Sequence, residues 1–558
     1  MDSIEQRTDY LKRWAALKSE RSTWDAHWKD LSAQFMPRAG RFQTTDRNRG
    51  DKRHNDIIDN TGLLAKGTLG SGLMAGMSSP ARPWFKMATP DQDLNKYGPV
   101  KLWLDAVTKQ MLRVFHKSNV YRVLHTGYEE LGVFGTWTCI NQRDYRNVIH
   151  LHPMTIGEFC IATNWRGEVD CLYREFEVTV RQLVIEFGLE NCSNTVKGMY
   201  QRKLLDAWVP LLHCIEPRYD RDPTKRDSLN MPYASVYYER DSNNGKPPLR
   251  TSGYKKFRGL AARWAVAGGD VYGHSPGMDA LGDSKQLQHQ QLRKGQGIDY
   301  MVLPPVQAPK GSVIDTLPGG TSYVDMAGPG AGIRTAFDVN LRLDYLLGDI
   351  QDVRDRIDKA FHTNLFLMLA NSTNPQMTAT EVAERHEEKM LMLGPVLERL
   401  TSELHVPLID DTFDALMEAG TLPPPPDELQ GMDLNVEFVS MLAQAQRAIA
   451  TNGVDRWVAN LGQIASMKPE VLDKLDADKW ADEYADMLGV SPSIIVADDK
   501  VAIVRKARAQ AAQAQAQAEQ MAMASQTAKN MGQTPTDGGN LASDVMGLFS
   551  GYGTPVGA

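Results

Sequence analysis

Apolar residues recur at helical spacing along the first 35 residues, and Pro37 follows the last of them. This stripe, which contains three tryptophans, predicts an amphipathic helix over residues 1–35 that stops before the proline. A second helical pattern covers about residues 100–134. The pattern then changes, since the residues from Gly135 to about Phe187 alternate and are β-branched or aromatic. These patterns predict helices followed by strands within one α+β unit.

Two shorter signals extend the strand prediction. Residues 164–167 have the composition of a turn between two strands, and residues 232–240 form a further candidate strand. We therefore predict that mixed β structure extends over residues 135–265.

The segment from Asn55 to Met87 combines a helical apolar pattern with five glycines, and it stops at two serines and Pro80. Glycine inside a helix costs about 1 kcal/mol relative to alanine. We expect a compensating gain, most simply the close approach of another backbone. Nothing in the segment is catalytic, so we interpret it as an assembly element.

A proline- and glycine-rich stretch separates two predicted helices in the middle of the chain. The helices are predicted over about residues 280–298 and 341–361, and the second carries charges on the faces away from its apolar stripe. The stretch between them, residues 301–337, is rich in β-forming residues. Its length and turn content predict a small β module inserted between two helices.

A long helix is predicted from Thr378, where Thr378 and Glu381 have the spacing of a capping box. Pro395 predicts a kink near residues 391–394, and Pro407 predicts a second bend or the end of the helix.

The four prolines 423–426 mark a predicted boundary. Beyond them, shorter helices are predicted over residues 433–500 and an Ala/Gln-rich helix over about 501–529. The remaining residues, 530–558, are rich in Gly, Ser and Thr and are expected to be flexible.

Composition restricts the function classes. The 558 residues are 42% apolar and 23% charged, with a formal net charge of −7, which disfavours a protein whose whole surface binds nucleic acid. The five cysteines form no C-x-x-C pair, so neither a disulfide framework nor a zinc site is expected. No apolar run approaches the roughly 20 residues that span a bilayer, and the N-terminus is charged. We expect a soluble protein that is made inside the cell.

Three motifs suggest chemistry but lack its requirements. Residues 273–277 match G-x-S-x-G, yet Pro276 follows Ser275 and has no N–H for an oxyanion hole, so we predict a turn before a helix. The glycines of residues 62–68 have P-loop spacing without the lysine, and the scattered histidines have no metal-ligand spacing. We predict no catalytic residue, no metal and no cofactor.

Four segments, in their order along the chain, resemble the portal proteins (head-to-tail connectors) of short-tailed bacteriophages. They are DIIDNTGLLAKGTLGSGLMAGMSSPARPWFKM, LGVFGTWTC, GYKKFRGLAARW followed by YGHSP, and MTATEVAERHEEKMLMLGPVLERL. They span roughly residues 55–420, and their order carries the resemblance because no single segment is specific.

The resemblance implies the portal fold and its parts. These are a wing (1–280), two stem helices (280–298 and 341–362) with a β-rich clip between them (299–340), a tunnel loop (363–378), a long kinked wing helix (379–420), a helical crown (430–530) and a flexible tail (531–558).

The resemblance also implies an assembly and its partners. It implies a ring, typically of twelve copies, at one capsid vertex of a virion made in the bacterial cytoplasm. The implied partners are double-stranded DNA, contacted independently of sequence, the terminase that supplies the ATPase, the major capsid and scaffold proteins, and tail adaptors. No membrane partner is implied.

Candidate residues follow from this resemblance. The uncharged tunnel loop suits weak contact with moving DNA, and its candidates are Asn371, Ser372, Thr373, Asn374 and Gln376. The glycine-rich helix and the aromatic residues after it are the candidates for subunit packing: Gly67, Gly70, Gly72, Gly76, Trp84 and Phe85.

Other classes stay open at this point. Another head–tail adaptor or a scaffold protein is one alternative, although scaffolds are usually helical throughout. A hydrolase that uses Ser275 is disfavoured by Pro276, and a DNA-binding protein is disfavoured by the charge balance.

Overall fold

The computed structural model describes two compact units, Met1–Lys474 and Leu475–Ala558. The described residues are 3–42, 57–91, 94–95, 97–225, 227–241, 248–315, 320–324, 332–336, 342–370, 393–429, 434–438, 456–465, 468, 470–471, 475–488, 496 and 498–531.

The first unit begins with four helices. Helix α1 (Ser3–Phe35) buries its apolar stripe and ends two residues before the proline, as predicted. Helix α2 (Thr61–Met77) contains the glycines. The pattern over residues 100–134 corresponds to two helices, α3 (Gly98–Lys117) and α4 (Val120–Phe134).

Two antiparallel sheets follow these helices, and a third pairing joins distant parts of the chain. The strands are β1 (Phe85–Ala88), β2 (Thr136–Asp144), β3 (Val148–Met154), β4 (Phe159–Thr163), β5 (Val169–Thr179), β6 (Trp208–Pro217), β7 (Tyr233–Glu239), β8 (Arg250–Tyr254) and β9 (Gly259–Arg263). The three-stranded sheet has the order β3-β2-β9, and the five-stranded sheet has the order β4-β5-β6-β7-β8. This mixture of helices and antiparallel sheets is an α+β fold.

The strand prediction up to Phe187 was wrong over its last eight residues. Strand β5 ends at Thr179, where α5 (Val180–Phe187) begins with a reciprocal capping box. The Gln182 backbone N–H donates to the Thr179 hydroxyl (3.3 Å), and the Thr179 N–H donates to the Gln182 side chain (3.0 Å). A second short helix, α6 (Asn194–Gln201), precedes β6.

The middle of the chain forms two long helices joined through short strands. Helix α7 (Pro276–Val302) is longer at both ends than predicted, and α8 (Leu343–Ala360) leads into α9 (Thr363–Ala370). Between α7 and α8, β10 (Val306–Gln307) pairs with β11 (Arg334–Thr335), and Val313 forms an isolated bridge with Tyr323.

The long helix predicted from Thr378 is described only from residue 393 onward. Helix α10 (Gly394–Leu400) begins with Pro395 in its first turn, a π-helical turn covers Thr401–His405, and α11 (Val406–Glu418) continues the helix. Pro407 therefore does not end the helix. Proline has no N–H and clashes with the carbonyl four residues earlier, and the wider turn beside it accommodates both effects. The predicted capping box lies outside the described residues.

The prolines 423–426 do not separate the two compact units, because they and the residues after them contact the earlier part of the first unit. The Trp103 indole donates to the Pro423 carbonyl (3.0 Å). Beyond the prolines, β12 (Asn435–Phe438) pairs antiparallel with β1. The prediction of helices alone over residues 433–500 was therefore wrong at this strand, although residues 456–465 are helical.

The second unit contains α12 (Ala477–Leu488) and α13 (Asp498–Met531), and the latter is the predicted Ala/Gln-rich helix. Arg505 of α13 forms a two-armed ion pair with Asp478 of α12 (2.6 and 2.7 Å).

Candidate functional site: the long helix pair and its anchors

Helices α7 and α8 form an antiparallel pair, which two polar contacts establish. Asp283 of α7 pairs with Arg356 of α8 (3.3 Å), and Gln290, seven residues later, donates to Asp349, seven residues earlier. The pair also buries six apolar side chains in the main core: Met278, Ala280, Leu287, Ile350, Val353 and Ile357.

The end of the pair away from this core exposes large apolar side chains. Tyr345 and Leu347 near the start of α8 are 73% and 50% exposed, and Val302 and Leu303 at the end of α7 are 71% and 68% exposed. Exposed apolar groups of this size at one end of the helix pair are typical of a surface that another molecule covers.

A buried carboxylate ties this pair to the segment that starts α2. Asp59 is nearly inaccessible and accepts hydrogen bonds from Thr61 (2.5 and 2.9 Å), from Gln291 of α7 (2.7 Å) and from Arg354 of α8 (2.6 and 3.1 Å). Gln288 also bonds both backbone groups of Asp59 (2.8 and 2.9 Å). We call these five residues the Asp59 anchor.

The Asp59 anchor holds an ionised carboxylate. Burial opposes ionisation, but the hydrogen bonds from Thr61, Arg354 and Gln291 outweigh it and lower the pKa of Asp59 to about 2. Because α7 and α8 both donate to the same carboxylate, the anchor fixes each helix relative to α2.

A second group of ion pairs fixes the helix that runs from α10 through the π-helical turn to α11. Glu403 accepts from the backbone N–H of Arg263 at the end of β9 (3.0 Å) and from its guanidinium (2.6 Å). Asp411 accepts from Asn141 (2.8 Å) and pairs with Arg143 (3.0 Å), both on β2. This helix is therefore bound to the three-stranded sheet at two points.

The π-helical turn also contributes a buried histidine. The Nε2 of His405 lies 2.7 Å from the Tyr128 hydroxyl, which is 2.8 Å from the Ser78 hydroxyl, and Trp84 packs against the imidazole. Burial lowers the pKa of His405 to about 3, so the imidazole is neutral at pH 7. The contact joins this turn to α4 and to the end of α2.

Comparison with known proteins assigns this chain to a family. Residues 7–496 match the model of the bacteriophage head to tail connecting protein family. The chain belongs to this family.

Two curated relatives of this connector family match over nearly their whole length. The probable portal protein of Bordetella phage BPP-1 is 57% identical over 550 residues, which are 98% of this chain and 99% of that protein. The portal protein of Salmonella phage epsilon15 is 47% identical over 530 residues, 94% of this chain and 95% of that protein.

Solved structures give only a distant likeness. A chain from the neck of an empty gene transfer agent particle is 11% identical, with a TM-score of 0.33, over 81% of this chain and 98% of that chain. A chain from the virion of a native gene transfer agent particle is 12% identical, with a TM-score of 0.29, over 76% of this chain and 99% of that chain. These values add nothing to the family assignment.

The structure accounts for some of the glycines of α2 within a single chain. An added Cβ on Gly70 would lie 2.6 Å from Glu129 Cγ and 3.3 Å from its backbone nitrogen, so α4 does approach the backbone of α2 closely there. A Cβ on Gly72 would overlap the ring of Phe366 in α9. Gly67 and Gly76 face open space and stay candidates for contact with another subunit.

The two aromatic candidates lie inside the chain. Trp84 is 1% exposed and Phe85 is fully buried, and both rings pack in one cluster with Phe115. Their burial leaves them no surface for another subunit, so their assignment to subunit packing is replaced by a role in the core. The five DNA-contact candidates of residues 371–376 lie outside the described residues.

Ser275 has a structural role instead of a nucleophilic one. It is 1% exposed, caps α7 by accepting from the Met278 N–H (3.1 Å), and donates to the Val133 carbonyl (2.7 Å). Pro276 occupies the first helical position, as the sequence predicted for a turn before a helix.

No described helix is both long and apolar enough to cross a membrane. In the same part of the chain, no three His, Cys, Asp or Glu side chains are grouped so that they could hold a metal ion.

Sequence reasoning missed the Asp59 anchor and the ion pair between Glu403 and Arg263. Asp59 and Arg354 are 295 residues apart, and Glu403 and Arg263 are 140 residues apart. The partners of each pair are far apart along the chain, so no local pattern distinguishes these charges from solvated ones.

Proposed function

We propose that copies of this chain form a closed ring at one vertex of a bacteriophage capsid, and that double-stranded DNA passes through the ring during packaging and ejection. The observation that carries this proposal is the match to two phage portal proteins at 57% and 47% identity over nearly full length. The ring would also dock terminase and, later, the tail adaptors, and it would contact the major capsid and scaffold proteins.

The proposed parts follow the chain order. Residues 280–298 of α7 and residues 341–362, which include α8, are the stem, and residues 299–340 are the clip. The sheets and N-terminal helices are the wing, and residues 430–530 are the crown. The segment from α10 to α11 is the wing helix, and residues 371–376 belong to a tunnel loop that contacts DNA. In this arrangement the Asp59 anchor connects stem to wing, and the Glu403 pair positions the wing helix that follows the tunnel loop.

The exposed end of the helix pair supports assembly. A ring subunit makes two lateral contacts, and permanent interfaces commonly bury about 2,000–5,000 Å². Contacts related by rotation about one axis close into a ring when the rotation divides a full turn. Tyr345, Leu347 and Val302 are the described apolar groups that such a contact would cover.

The charge of the chain suits a channel for moving DNA. Twelve copies would carry a formal charge of about −84. A basic channel that neutralised many phosphates would hold DNA tightly, because DNA binding would release counterions. An acidic particle does not gain this binding free energy.

Native mass spectrometry with negative-stain imaging tests the ring. Twelve copies of a 62.2 kDa chain predict a mass of about 746 kDa and particles with a central hole. Leu347→Asp should reduce ring formation at least tenfold, whereas Ile185→Asp, an exposed apolar control on α5, should not. A compact dimer or tetramer from the wild-type chain would overturn the proposal.

Deletion of residues 371–376 tests the tunnel loop. The proposal predicts intact rings that fail to package DNA. Full packaging by such rings would reduce the segment to an ordinary connection between helices.

A further inference from the structure

The turn between β4 and β5 carries a tryptophan that its own chain leaves in solvent. Trp165 is 88% exposed, and the guanidinium carbon of the next residue, Arg166, lies 5.0 Å from the centroid of its ring. Tryptophan and arginine are among the residue types that most often dominate the binding energy of protein interfaces. An exposed pair of this kind indicates a contact with another chain.

The turn is held rigid by its own hydrogen bonds. The Asn164 side chain accepts from the backbone N–H groups of Arg166 (2.8 Å) and Glu168 (3.1 Å). It also donates to the Glu168 carboxylate (3.0 Å). The Gly167 carbonyl accepts from the guanidinium of Arg263 at the end of β9 (2.8 Å). A preorganised turn loses little conformational entropy when it binds, so its tip suits an anchor.

A groove of about 380 Å³ lies between α4, the turn after β3, and strand β5. Of its lining residues, Thr126 and Pro153 are exposed, and Arg174 and Phe176 are half-buried. The groove is therefore open to solvent. Pockets that hold small organic ligands begin at about 300 Å³, so the groove has room for an indole ring.

The lining has groups that an indole can contact. The Arg174 guanidinium lies 4.4 Å from the centroid of the Phe176 ring, and both kinds of group are surfaces on which an indole stacks. The Thr126 hydroxyl donates to the Arg122 carbonyl (3.3 Å), and its oxygen lone pairs can accept from the indole N–H. The groove therefore offers both stacking and a hydrogen bond.

Carboxylate groups in the same groove suit Arg166. Glu158 and Glu177 line the groove and are half-buried. An ionised carboxylate has about four lone-pair sites, so an existing partner leaves sites for a further guanidinium. Arg166 can therefore donate to a carboxylate of the groove while the neighbouring indole stacks.

The turn and the groove lie at opposite ends of one hairpin. Glu158 directly precedes β4, and Arg174 pairs with Phe159, the first residue of β4. The five residues of β4 separate this end from the turn, which at about 3.4 Å per residue is about 17 Å. Trp165 therefore cannot reach the groove of its own chain.

We propose that Trp165 and Arg166 of one copy insert into this groove on the next copy. The inference rests on the proposed ring, in which each subunit uses two different surfaces for its two neighbours. Neighbours in a ring of about twelve copies differ in orientation by about 30°, so successive hairpins point in nearly the same direction. With the hairpin along the circumference, the tip of each hairpin meets the base of the next, and the contact repeats until the ring closes.

Disulfide trapping in assembled rings tests the contact. The five native cysteines are buried, so oxidation reports the introduced thiols. Arg166→Cys combined with Thr126→Cys should give a covalent ladder of subunits on a non-reducing gel, and each single variant should give none. Tyr145→Cys with Thr126→Cys is the matched control, because Tyr145 is a fully exposed aromatic residue in the turn between β2 and β3. The control should not cross-link, since a disulfide needs Cα atoms within about 7 Å.

Trp165→Ala measures the anchor itself. Native mass spectrometry over a dilution series should show that the variant needs at least tenfold more protein for half-maximal ring formation, as expected for an interface hot spot. Tyr145→Ala should assemble like the wild type. Both side chains are exposed, so both variants should fold, and unchanged far-UV circular dichroism establishes this.

The contrary results separate this contact from the ring itself. Wild-type rings without a cross-link between residues 166 and 126, or with unchanged assembly of Trp165→Ala, would overturn the contact and leave the proposed function intact. A wild-type chain that forms only a compact dimer or tetramer would overturn the proposed function and the contact with it.

Discussion

Replacing Asp59 by asparagine should loosen the long helix pair from the segment that starts α2. The substitution keeps the size of the side chain and one acceptor oxygen, but it removes the charge that Arg354 faces at 2.6 Å. Asp59 is only 4% exposed, so water cannot replace its partners, whereas Arg354 is 38% exposed and regains part of its hydration.

The magnitude follows from the pKa. A shift from 3.8 to about 2 favours the ionised form by about 2 kcal/mol, after allowance for the solvent around Arg354. The folded-state pKa is the lower one, so this stability is present above pH 3.8 and is lost as the pH falls from 3.8 towards 2. At pH 7 the full cost of Asp59→Asn should therefore be seen.

Hydrogen exchange with mass spectrometry measures the effect locally. A loss of about 2 kcal/mol predicts roughly 30-fold faster exchange through local opening in peptides from α7 and α8. Asp283→Asn is the matched control, because Asp283 pairs with Arg356 across the same two helices but lies closer to solvent. The control should change exchange less than fivefold. Equal effects of the two substitutions would refute the reasoning, as would the absence of coupling in a double-mutant cycle with Arg354→Gln.

Three further predictions concern stability, and thermal unfolding measures the effect in each. Gly72→Ala should cost about 1–3 kcal/mol because its Cβ overlaps a ring of α9, whereas Gly76→Ala, facing open space, should gain up to about 1 kcal/mol. Ser275→Ala should cost about 1–2 kcal/mol through loss of the helix cap, and a fluorophosphonate should not label the wild type. Burial lowers the pKa of His405 to about 3 and is the main cause that lowers the pKa of His152 to about 4. The two neutral imidazoles therefore contribute fully to the stability of the fold above pH 6.5, and this stability is lost as the pH falls. Each should lower stability by about 1.4 kcal/mol per pH unit between pH 6.5 and about 4.

Each of these predictions has a clear contrary result. Equal effects of the two glycine substitutions would show that the overlap of the Gly72→Ala Cβ with the ring of α9 does not affect stability. Labelling of Ser275 by the fluorophosphonate would restore the hydrolase alternative. An acid dependence that is unchanged in His405→Gln would show that this imidazole does not contribute to it.

Local signals were sufficient for most of the secondary structure. The end of α1 before Pro37 and the turn at residues 164–167 each depend on residues a few positions apart, so their chemistry is visible in the sequence. Proline and turn residues act on the backbone within a few positions, which is why these predictions were confirmed. The wrong prediction of a strand up to Phe187 also came from a local pattern, because a short capped helix and an alternating strand share several apolar positions.

The sequence by itself therefore determined most of the helices and strands, their order along the chain and, through that order, the family. Only the tertiary structure decided which charges are buried partners, which of the α2 glycines meet another element, and that Trp84 and Phe85 belong to the core. It also decided that β12 pairs with β1 across some 350 residues. The physical reason is that a local pattern reports the conformation of a segment, whereas burial and ion pairing depend on which distant segment packs against it.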